Sequence, residues 1–333
     1  MKVLLYTEFE KYISKSGLGK AINHQKKALE YEGIPYTTNV HDDYDLVHIN
    51  YYGPRSYMLA KKAKKRGKKV VYHAHSTEED FQNSFIFSNK IAPLFKKWII
   101  KCYNLGDVII TPTPYSKRLL EGYGIKKHIY AISNGIKLDK FKQDKTAKAK
   151  FRKRYNIKEN QKVVIGVGLY IKRKGILDFV ELSKRLPEYK FIWFGYSPLS
   201  ASPKEIREAV NTKRDNLLFA GYVEQSLIAE AMNGCDLYIF PTLEETEGIP
   251  IVEACACKTP ALIRDIPVFE EWLEDGVNVY KAKDVDEFEQ KIKDILEKKL
   301  PYLGEQAYEV AKERDIKTVG KRLKEVYEDA MKM

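Results

Sequence analysis

Two glutamates eight residues apart, Glu245 and Glu253, stand on either side of a glycine, Gly248. The apolar run Leu237–Phe240 predicts a strand and Ile251–Ala256 predicts a helix, so the glycine falls in the loop between them. A glycine at such a junction lets backbone N–H groups approach a diphosphate, and the helix N-terminus favours an anion. The two carboxylates could then flank a bound nucleotide sugar, one near the sugar hydroxyls and one near the ribose diol. The same spacing also fits an acidic loop followed by a solvated helix face.

Two histidines, His73 and His75, form a second candidate site in the first half of the chain. They close the apolar run that starts at Val70, which predicts a strand ending in a polar turn. Histidine titrates near neutral pH and also serves as a neutral hydrogen-bonding group. For each of them, a purely structural histidine satisfied by hydrogen bonds is the alternative.

Short apolar runs alternate with amphipathic stretches throughout, which is the pattern of parallel sheets covered by helices. The predicted strands are Val3–Tyr6, Tyr36–Asn39, Leu46–Ile49, Val70–His73, Val108–Thr111, Ile129–Ile132, Val163–Gly168, Phe191–Phe194, Leu217–Ala220, Leu237–Phe240 and Pro260–Ile263. The predicted helices are Gly19–Tyr31, Tyr57–Arg66, Ile176–Arg185, Gln225–Asn233, Ile251–Ala256 and further helix from Val285 onward. The strand series restarts after the Lys-rich stretch 137–159. The sequence therefore predicts two doubly wound α/β domains with a cleft between them and ligands at the carboxyl ends of strands.

The bulk composition excludes several classes of protein. The apolar fraction of 44% and the charged fraction of 31% are typical of a soluble globular protein. No stretch approaches the roughly 20 apolar residues that span a bilayer, and the N-terminal apolar run is too short for a signal peptide. Four cysteines are too few and too unevenly spaced for a disulfide framework or a zinc site. We therefore expect a cytoplasmic protein.

The net charge of +12 is concentrated in the first part of the chain. Residues 1–150 contain 28 basic and 14 acidic side chains, whereas the remaining 183 residues contain 30 and 32. Seven cations lie within Lys61–Lys69, and the stretch Phe85–Lys101 mixes lysines with large apolar residues. Such a helix suits an anionic membrane surface, although the large side chains could equally be core residues beside a solvated lysine face. The candidate membrane residues are Phe95, Lys96, Lys97, Trp98 and Lys101.

The segment around the two glutamates resembles the E-x7-E motif of retaining glycosyltransferases of the GT-B fold, in particular glycosyltransferase family four. Four more segments match that family in the expected order. They are the glycine loop Ser16–Gly19, the Asn-Gly-Ile segment Ser133–Phe141, the strand and basic loop Gly166–Gly175, and the aspartate–strand–proline lead-in Cys235–Thr242. Together these matches span nearly the whole chain.

The resemblance implies two Rossmann-like domains that face each other across a cleft. We place an acceptor-binding, membrane-facing domain at residues 1–145, a donor-binding domain at 146–317, and a terminal helix at 318–333 that returns to the first domain. The implied donor-binding residues are Gly17, Gly19, Arg173, Lys174, Gly248, Ile249, Pro250 and Glu253. Glu245 and His75 are the implied catalytic residues, with His73 as the alternative to His75. Donor phosphates in this family are neutralised by side chains and helix N-termini, so no metal is expected.

Three positions depart from the family pattern. Glu247 replaces the usual phenylalanine before the motif glycine, and Lys258 replaces a glycine after the Ala-Cys pair. Leu169 stands where an arginine is usual, so the cationic role passes to Arg173 and Lys174. An Arg and a Lys in tandem can still neutralise a diphosphate, whereas a charged surface turn is the alternative.

The segments 15–25 and 168–175 also resemble bacterial enzymes that glycosylate diacylglycerol or its monoglucosyl derivative. That resemblance implies UDP-glucose or UDP-galactose as donor, an α-linked diglycosyl lipid as product, and peripheral binding to the inner face of the cell membrane. A basic, apolar first domain fits a lipid acceptor. The alternatives are transfer to a polysaccharide or a lipid-carrier-linked sugar, or a catalytically silent peripheral membrane protein. A nucleic-acid binder is disfavoured because the chain has no recognisable binding motif.

Overall fold

The computed structural model describes residues 1–9, 13 and 16–333, so Lys15, the first residue of the segment 15–25, lies outside the described residues. The chain forms two compact units. Unit 1 contains Met1–Phe81, Lys90–Lys137 and Arg314–Met333, and unit 2 contains Gln82–Asn89 and Leu138–Glu313. Within the described part of the chain, no helix is both long and apolar enough to cross a membrane.

Each unit is built on a six-stranded, all-parallel sheet. The strands are β1 (Val3–Tyr6), β2 (Tyr36–Thr37), β3 (Leu46–Ile49), β4 (Lys69–His73), β5 (Val108–Thr111), β6 (His128–Ala131), β7 (Val163–Val167), β8 (Lys190–Phe194), β9 (Leu217–Gly221), β10 (Leu237–Phe240), β11 (Ala261–Arg264) and β12 (Tyr280–Ala282). Their spatial order is β2-β1-β3-β4-β5-β6 in unit 1 and β12-β11-β10-β7-β8-β9 in unit 2. The two doubly wound α/β sheets predicted from the alternation of apolar runs are confirmed.

The helices cover both faces of these sheets. They are α1 (Gly17–Tyr31), α2 (Pro54–Lys65), α3 (Glu78–Phe81), α4 (Ser88–Tyr103), α5 (Pro114–Gly122), α6 (Ala147–Arg154), α7 (Ile176–Arg185), α8 (Lys204–Val210), α9 (Gln225–Gly234), α10 (Ile249–Ala256), α11 (Val285–Leu296), α12 (Gly304–Glu313) and α13 (Ile316–Lys332). Short 3₁₀ turns lie at Lys172–Lys174, Leu199–Ala201 and Pro267–Phe269.

Local side chains explain where the elements differ from their predicted bounds. Strand β2 ends at Thr37 and not at Asn39, because the Asn39 side chain accepts from the His41 N–H and donates to Asp42, which forms a turn. Helix α10 begins two residues earlier than predicted, since Pro250 has a φ suited to a first helical turn. Helix α5, which the sequence did not predict, is capped by Thr113 and Ser116.

The C-terminal helix α13 packs within unit 1. Gly320 lies so close to α1 that a Cβ there would come within 2.8 Å of the Ala28 carbonyl oxygen. On the same helix Leu323, Val326 and Tyr327 are buried in the apolar cluster that also contains Val3. The sequence placed the domain boundaries after residues 145 and 317, and the two units divide at Lys137 and at Glu313.

Candidate active site

In unit 2, two loops meet where the neighbouring strands β7 and β10 end. The link between them is Gly175, whose φ of +74° is in the left-handed region. A Cβ at this residue would lie 2.1 Å from the carbonyl oxygen of Pro241, so only glycine allows the approach. The basic loop after β7 and the acidic loop after β10 are thereby held side by side.

Glu245 is the carboxylate around which the two loops are organised. It forms an ion pair with Lys174, and its Oε2 lies 3.8 Å from Nη1 of Arg173. The Thr242 hydroxyl donates a 2.9 Å hydrogen bond to Glu245 Oε1. Arg173 and Glu245 are 8% and 5% exposed. The structure thus brings together Glu245, Arg173 and Lys174, three of the residues predicted from the sequence. Because Arg173 is buried, the alternative of a charged surface turn does not apply to it.

Backbone hydrogen bonds fix the same two loops. The Arg173 carbonyl accepts from the Leu243 N–H at 2.7 Å and from the Thr242 hydroxyl at 3.1 Å. The Arg173 guanidinium donates in turn to the carbonyl of Glu244 at 2.8 Å. Thr242 was not among the predicted site residues, although a hydroxyl immediately after a strand-terminal proline was a visible signal.

Glu253 lies in α10 and is fully buried. Burial, and then the negative charges of Glu253 and Glu245, raise the pKa of Tyr238 well above its usual value, so this hydroxyl stays protonated. Within the described residues the Tyr238 hydroxyl has no hydrogen-bond partner. Both carboxylates of the predicted motif therefore influence one buried phenol within strand β10.

The start of α10 carries the remaining predicted donor residues. Gly248 has a φ of +95°, and a Cβ there would come within 2.9 Å of the Phe240 ring. Ile249 and Pro250 form the first turn of the helix, whose N-terminus is favourable for an anion. Glu247, which occupies the position of the family's usual aromatic residue, is buried beside them.

Arg264 supports this loop from strand β11 and was missed by the sequence reasoning. Its Nε donates to the Pro241 carbonyl at 3.1 Å and its Nη1 to the Lys283 carbonyl at 2.6 Å. Its remaining nitrogen forms an ion pair with Asp178. A buried arginine at the carboxyl end of a strand was the signal that could have identified it, but the predicted strand ended one residue earlier.

In unit 1, the predicted glycines lie at the start of α1. The Ser16 hydroxyl accepts a 3.3 Å hydrogen bond from the Gly19 N–H and caps the helix. Gly17 is open, since a Cβ there would have nothing within 4 Å, whereas Gly19 is buried. The loop therefore presents the beginning of a capped helix.

The two predicted histidines stack on each other at the end of β4. Their ring centroids are 3.9 Å apart with an interplanar angle of 8°. His75 Nε2 lies 2.9 Å from Oδ1 of Asn50, and His73 Nδ1 lies 3.0 Å from Nε2 of Gln25. Burial lowers the pKa of both rings, so both are neutral near pH 7. His73 is 3% exposed and His75 is the more accessible of the two.

The five candidate membrane residues of α4 have different surroundings, and one of them, Lys96, forms a 2.9 Å ion pair with Glu78. Phe95 stacks on Phe81 at 4.0 Å, and Trp98 donates a 2.7 Å hydrogen bond to the Tyr52 carbonyl, so both pack towards the core. Lys97 is exposed and Lys101 lies 5.4 Å from the ring of Tyr57 on α2. Of the two roles that the sequence left open, the two aromatic side chains take the structural one.

Different apolar residues are exposed on the adjoining surface of α2 and α4. Leu94, Met58 and Ile91 are 67%, 61% and 41% exposed. The two helices touch through Tyr57 and Trp98, whose ring centroids are 5.4 Å apart. We give the name basic–apolar face to eight of the exposed side chains of α2 and α4, which are Met58, Lys61, Lys62, Lys65, Ile91, Leu94, Lys97 and Lys101.

Two known protein families match most of the chain. Residues 147–314 match the family described as Glycosyl transferases group 1, and residues 26–140 match Glycosyltransferase Family 4. The chain is 42% identical over 336 residues to the processive diacylglycerol alpha-glucosyltransferase of Acholeplasma laidlawii, covering 100% of this chain and 99% of that protein. It belongs to the GT-B glycosyltransferases.

Two further relatives of this glycosyltransferase are more distant. It is 25% identical over 243 residues to the alpha-galactosylglucosyldiacylglycerol synthase of Streptococcus pneumoniae, covering 72% of this chain and 65% of that protein. The solved structure of Anabaena HepE in complex with UDP-glucose superimposes with a TM-score of 0.79 at 19% identity, covering 99% of this chain and 100% of that one. The latter likeness shows the fold, and the predicted GT-B class is confirmed.

The glycosyltransferase is thus an enzyme that transfers a hexose, and its unit 2 has charges suited to that reaction. Arg173 and Lys174 supply two fixed cations at the carboxyl ends of parallel strands, where α/β sheets bind ligands. Fixed donors and cations stabilise charge that develops on a leaving group. In the part of the chain that the structure describes, no three His, Cys, Asp or Glu side chains come close enough to hold a metal ion.

Proposed function

We propose that this glycosyltransferase moves glucose from UDP-glucose to a diacylglycerol-based glycolipid such as monoglucosyl diacylglycerol, with retention of the anomeric configuration. The observation that carries the proposal is the 42% identity, over the full length of both chains, to a processive diacylglycerol alpha-glucosyltransferase. The basic–apolar face of unit 1 supports a lipid acceptor. If the acceptor were a soluble polysaccharide, the basic–apolar face would have no explanation.

In the proposed reaction the acceptor hydroxyl attacks the anomeric carbon on the face from which the diphosphate leaves. The departing phosphate oxygen takes the acceptor proton, the new glycosidic bond forms, and UDP is released. Arg173 and Lys174 stabilise the negative charge that builds on this diphosphate. Glu245, which pairs with both cations, orients the sugar and stabilises positive charge at its anomeric carbon.

The remaining predicted residues bind the donor and orient its sugar. The first turn of α10, from Ile249 to Pro250, receives the diphosphate, and Glu253 accepts from the ribose diol. In unit 1 we assign Gly17 and Gly19, at the capped start of α1, to donor binding, and we assign the neutral ring of His75 to a hydrogen bond with the transferred sugar. The two cations and the helix N-terminus supply the positive charge, so we propose that the reaction needs no metal. The expected result is an unchanged rate in excess EDTA.

We also propose that unit 1 binds the inner face of the cell membrane through its basic–apolar face. Each cation close to an anionic surface contributes about 1 kcal/mol. Replacing Lys97 and Lys101 together by alanine should therefore weaken binding to anionic vesicles about thirtyfold, as measured by sedimentation. The matched control replaces Lys142 and Lys145, which are equally exposed but belong to unit 2. Equal loss in both variants would contradict the assignment of the face.

The reaction is tested with the full chain and vesicles of phosphatidylglycerol that contain monoglucosyl diacylglycerol. UDP-glucose and UDP-galactose are supplied separately, the lipid product is identified by mass spectrometry, and its anomeric configuration is determined by NMR. An α-linked diglucosyl lipid made from UDP-glucose and lost in Glu245→Gln is the expected result. A product formed on a polysaccharide or on a lipid-carrier-linked sugar, with none on the glycolipid, would overturn the acceptor proposal.

A further inference from the structure

A chain of buried polar side chains runs through unit 1 from its C-terminal helix. It begins at Tyr327 in α13, whose hydroxyl lies 2.6 Å from Nδ1 of His48. The other ring nitrogen of His48, Nε2, lies 3.1 Å from Nδ1 of His73. Tyr327 and His48 are fully buried and His73 is 3% exposed. Residues 279 positions apart are thus joined at the centre of the sheet.

The chain continues through two amides to His75. The Gln25 side-chain nitrogen lies 3.0 Å from His73 Nδ1 and donates a 2.8 Å hydrogen bond to Oδ1 of Asn50. The same Asn50 oxygen lies 2.9 Å from Nε2 of His75. Gln25 and Asn50 are 2% and 1% exposed, so water has little access to these groups. When its three histidines are neutral, none of the six side chains carries a formal charge.

The positions of the protons follow from which atoms can donate. With the amides oriented as in the structure, the Gln25 nitrogen donates to His73 Nδ1. His73 Nδ1 is then an acceptor, and His48 Nε2 carries the proton that it shares with His73. His48 Nδ1 then accepts from the Tyr327 hydroxyl. At the other end an amide oxygen only accepts, so His75 carries its proton on Nε2 and keeps the lone pair on Nδ1.

Tyr327 is the group that selects this direction. A histidine and a carboxamide can each reverse their donor and acceptor sides, so the interior of the chain alone permits either direction. In the reversed direction the Tyr327 hydroxyl would accept from His48 and its own buried O–H would lose this acceptor, which is unfavourable. Within the described residues, Gln25 Oε1, Asn50 Nδ2 and His73 Nε2 have no partner that would favour one direction.

We propose that Tyr327 is a positioning residue for His75. Through this chain its hydroxyl holds His75 as the Nε2–H tautomer and leaves the Nδ1 lone pair as the acceptor for a hydroxyl of the transferred sugar. The stack of His73 on His75 keeps the ring plane fixed. The role of Tyr327 depends on the proposed function, in which His75 hydrogen-bonds that sugar. Burial lowers the pKa of His48 to about 3, which keeps the chain uncharged near neutral pH.

The test compares Tyr327→Phe with Tyr130→Phe in the full chain. Tyr130 is the matched control, because its hydroxyl donates a 3.0 Å hydrogen bond to Asp329 on the same helix but lies outside the chain of polar groups. Tyr327→Phe should lower kcat about tenfold and leave KM for UDP-glucose unchanged, because a His75 ring in the other tautomer loses one hydrogen bond to the reacting sugar, which is worth about tenfold in rate. Tyr130→Phe should retain the wild-type kcat.

The tautomers are read directly from the side-chain ¹⁵N signals of histidine-labelled protein. The wild type should hold His48 and His75 as Nε2–H tautomers, and Tyr327→Phe should convert His75 to a mixture. A wild-type Nδ1–H tautomer at either ring would overturn the proposal even if the variant fails to fold. A folded Tyr327→Phe variant with native tautomers and native kcat would overturn it as well. These spectra need no lipid, so failure of the glycolipid reaction would be recognised separately.

Discussion

Acid should selectively destabilise unit 1, because it buries neutral histidines. Burial lowers the pKa of His24 to about 4 and those of His48 and His75 to about 3. It also lowers the pKa of His73 well below 6.5. The unfolded chain binds a proton at each site near pH 6.5, whereas the native unit does not. The stabilisation is therefore complete above pH 6.5 and is lost as the pH falls from there towards the native pKa values.

The size of the effect follows from these pKa values. Each histidine that stays neutral in the native unit lowers the free energy of unfolding by about 1.4 kcal/mol per pH unit below 6.5. Between pH 8 and pH 5 each site thus accounts for about 2 kcal/mol, and the four together for about 8 kcal/mol. A domain is stabilised by only about 5–15 kcal/mol in total, so unit 1 should be close to unfolding at pH 5.

The free energy of unfolding is measured in urea at pH 8 and at pH 5. Hydrogen exchange in peptides from strands β3 to β5 reports the unfolding of unit 1 specifically. His24→Gln removes one titrating site, so the loss of stability between the two pH values should shrink by about 2 kcal/mol. His128→Gln, at an exposed position of β6, is the control and should keep the wild-type loss. If His24→Gln loses as much stability as the wild type, the reasoning from burial is refuted.

Three predictions concern unit 2. Lys174→Met should lower kcat/KM about 100- to 1000-fold in a UDP-release assay, since one preorganised donor to a developing oxyanion is worth that much. Lys172→Met, at an exposed position two residues away, should change kcat/KM little. Gly175→Ala should destabilise unit 2 in urea by several kcal/mol, whereas Gly276→Ala, with a similar φ of +72° but open surroundings, should cost only about 1–2 kcal/mol. Glu253→Gln should raise KM for UDP-glucose about tenfold with little change in kcat, as expected for loss of uniform binding.

Each of these has a clear contrary result. Equal losses in Lys174→Met and Lys172→Met would mean that the turn matters as a whole and that Lys174 has no special charge role. Equal destabilisation by the two glycine substitutions would show that backbone strain, not the close approach to the Pro241 carbonyl, accounts for Gly175. A fall in kcat with unchanged KM in Glu253→Gln would move that carboxylate from donor binding to the chemical step.

The sheets and the donor loops were predictable because their signals are local. Apolar runs such as Leu46–Ile49 and Leu237–Phe240 are buried on both faces, so their sequence is continuously hydrophobic and their bounds are right to the residue. Gly248 was predicted for a similar reason, since it supplies a local backbone conformation that other residues rarely adopt. Helix α5 was missed although Thr113 and Pro114 are helix-start signals that the sequence shows.

The support of the site was not predictable, because it depends on contacts that are remote in sequence. Arg264 meets Asp178 across 86 positions, and Tyr327 meets His48 across 279. Nothing in the sequence near either partner indicates the other. The sequence also did not show which apolar side chains of α4 are buried. Trp98 and Leu94 are both large and apolar, and only the packing decides which of them is buried.

The proposed site residues are charged in unit 2 and neutral in unit 1, and the proposed reaction gives a reason for this difference. Negative charge develops on a leaving diphosphate, and in the proposed site the cations Arg173 and Lys174 of unit 2, which pair with Glu245, stabilise that charge. A transferred sugar presents neutral hydroxyls beside a carbon that becomes positive. A protonated imidazole there would oppose that charge, and burial prevents it by keeping His75 neutral. A neutral ring is useful only if its lone pair faces the substrate, and this requirement accounts for a chain of uncharged groups that extends to Tyr327 in the C-terminal helix.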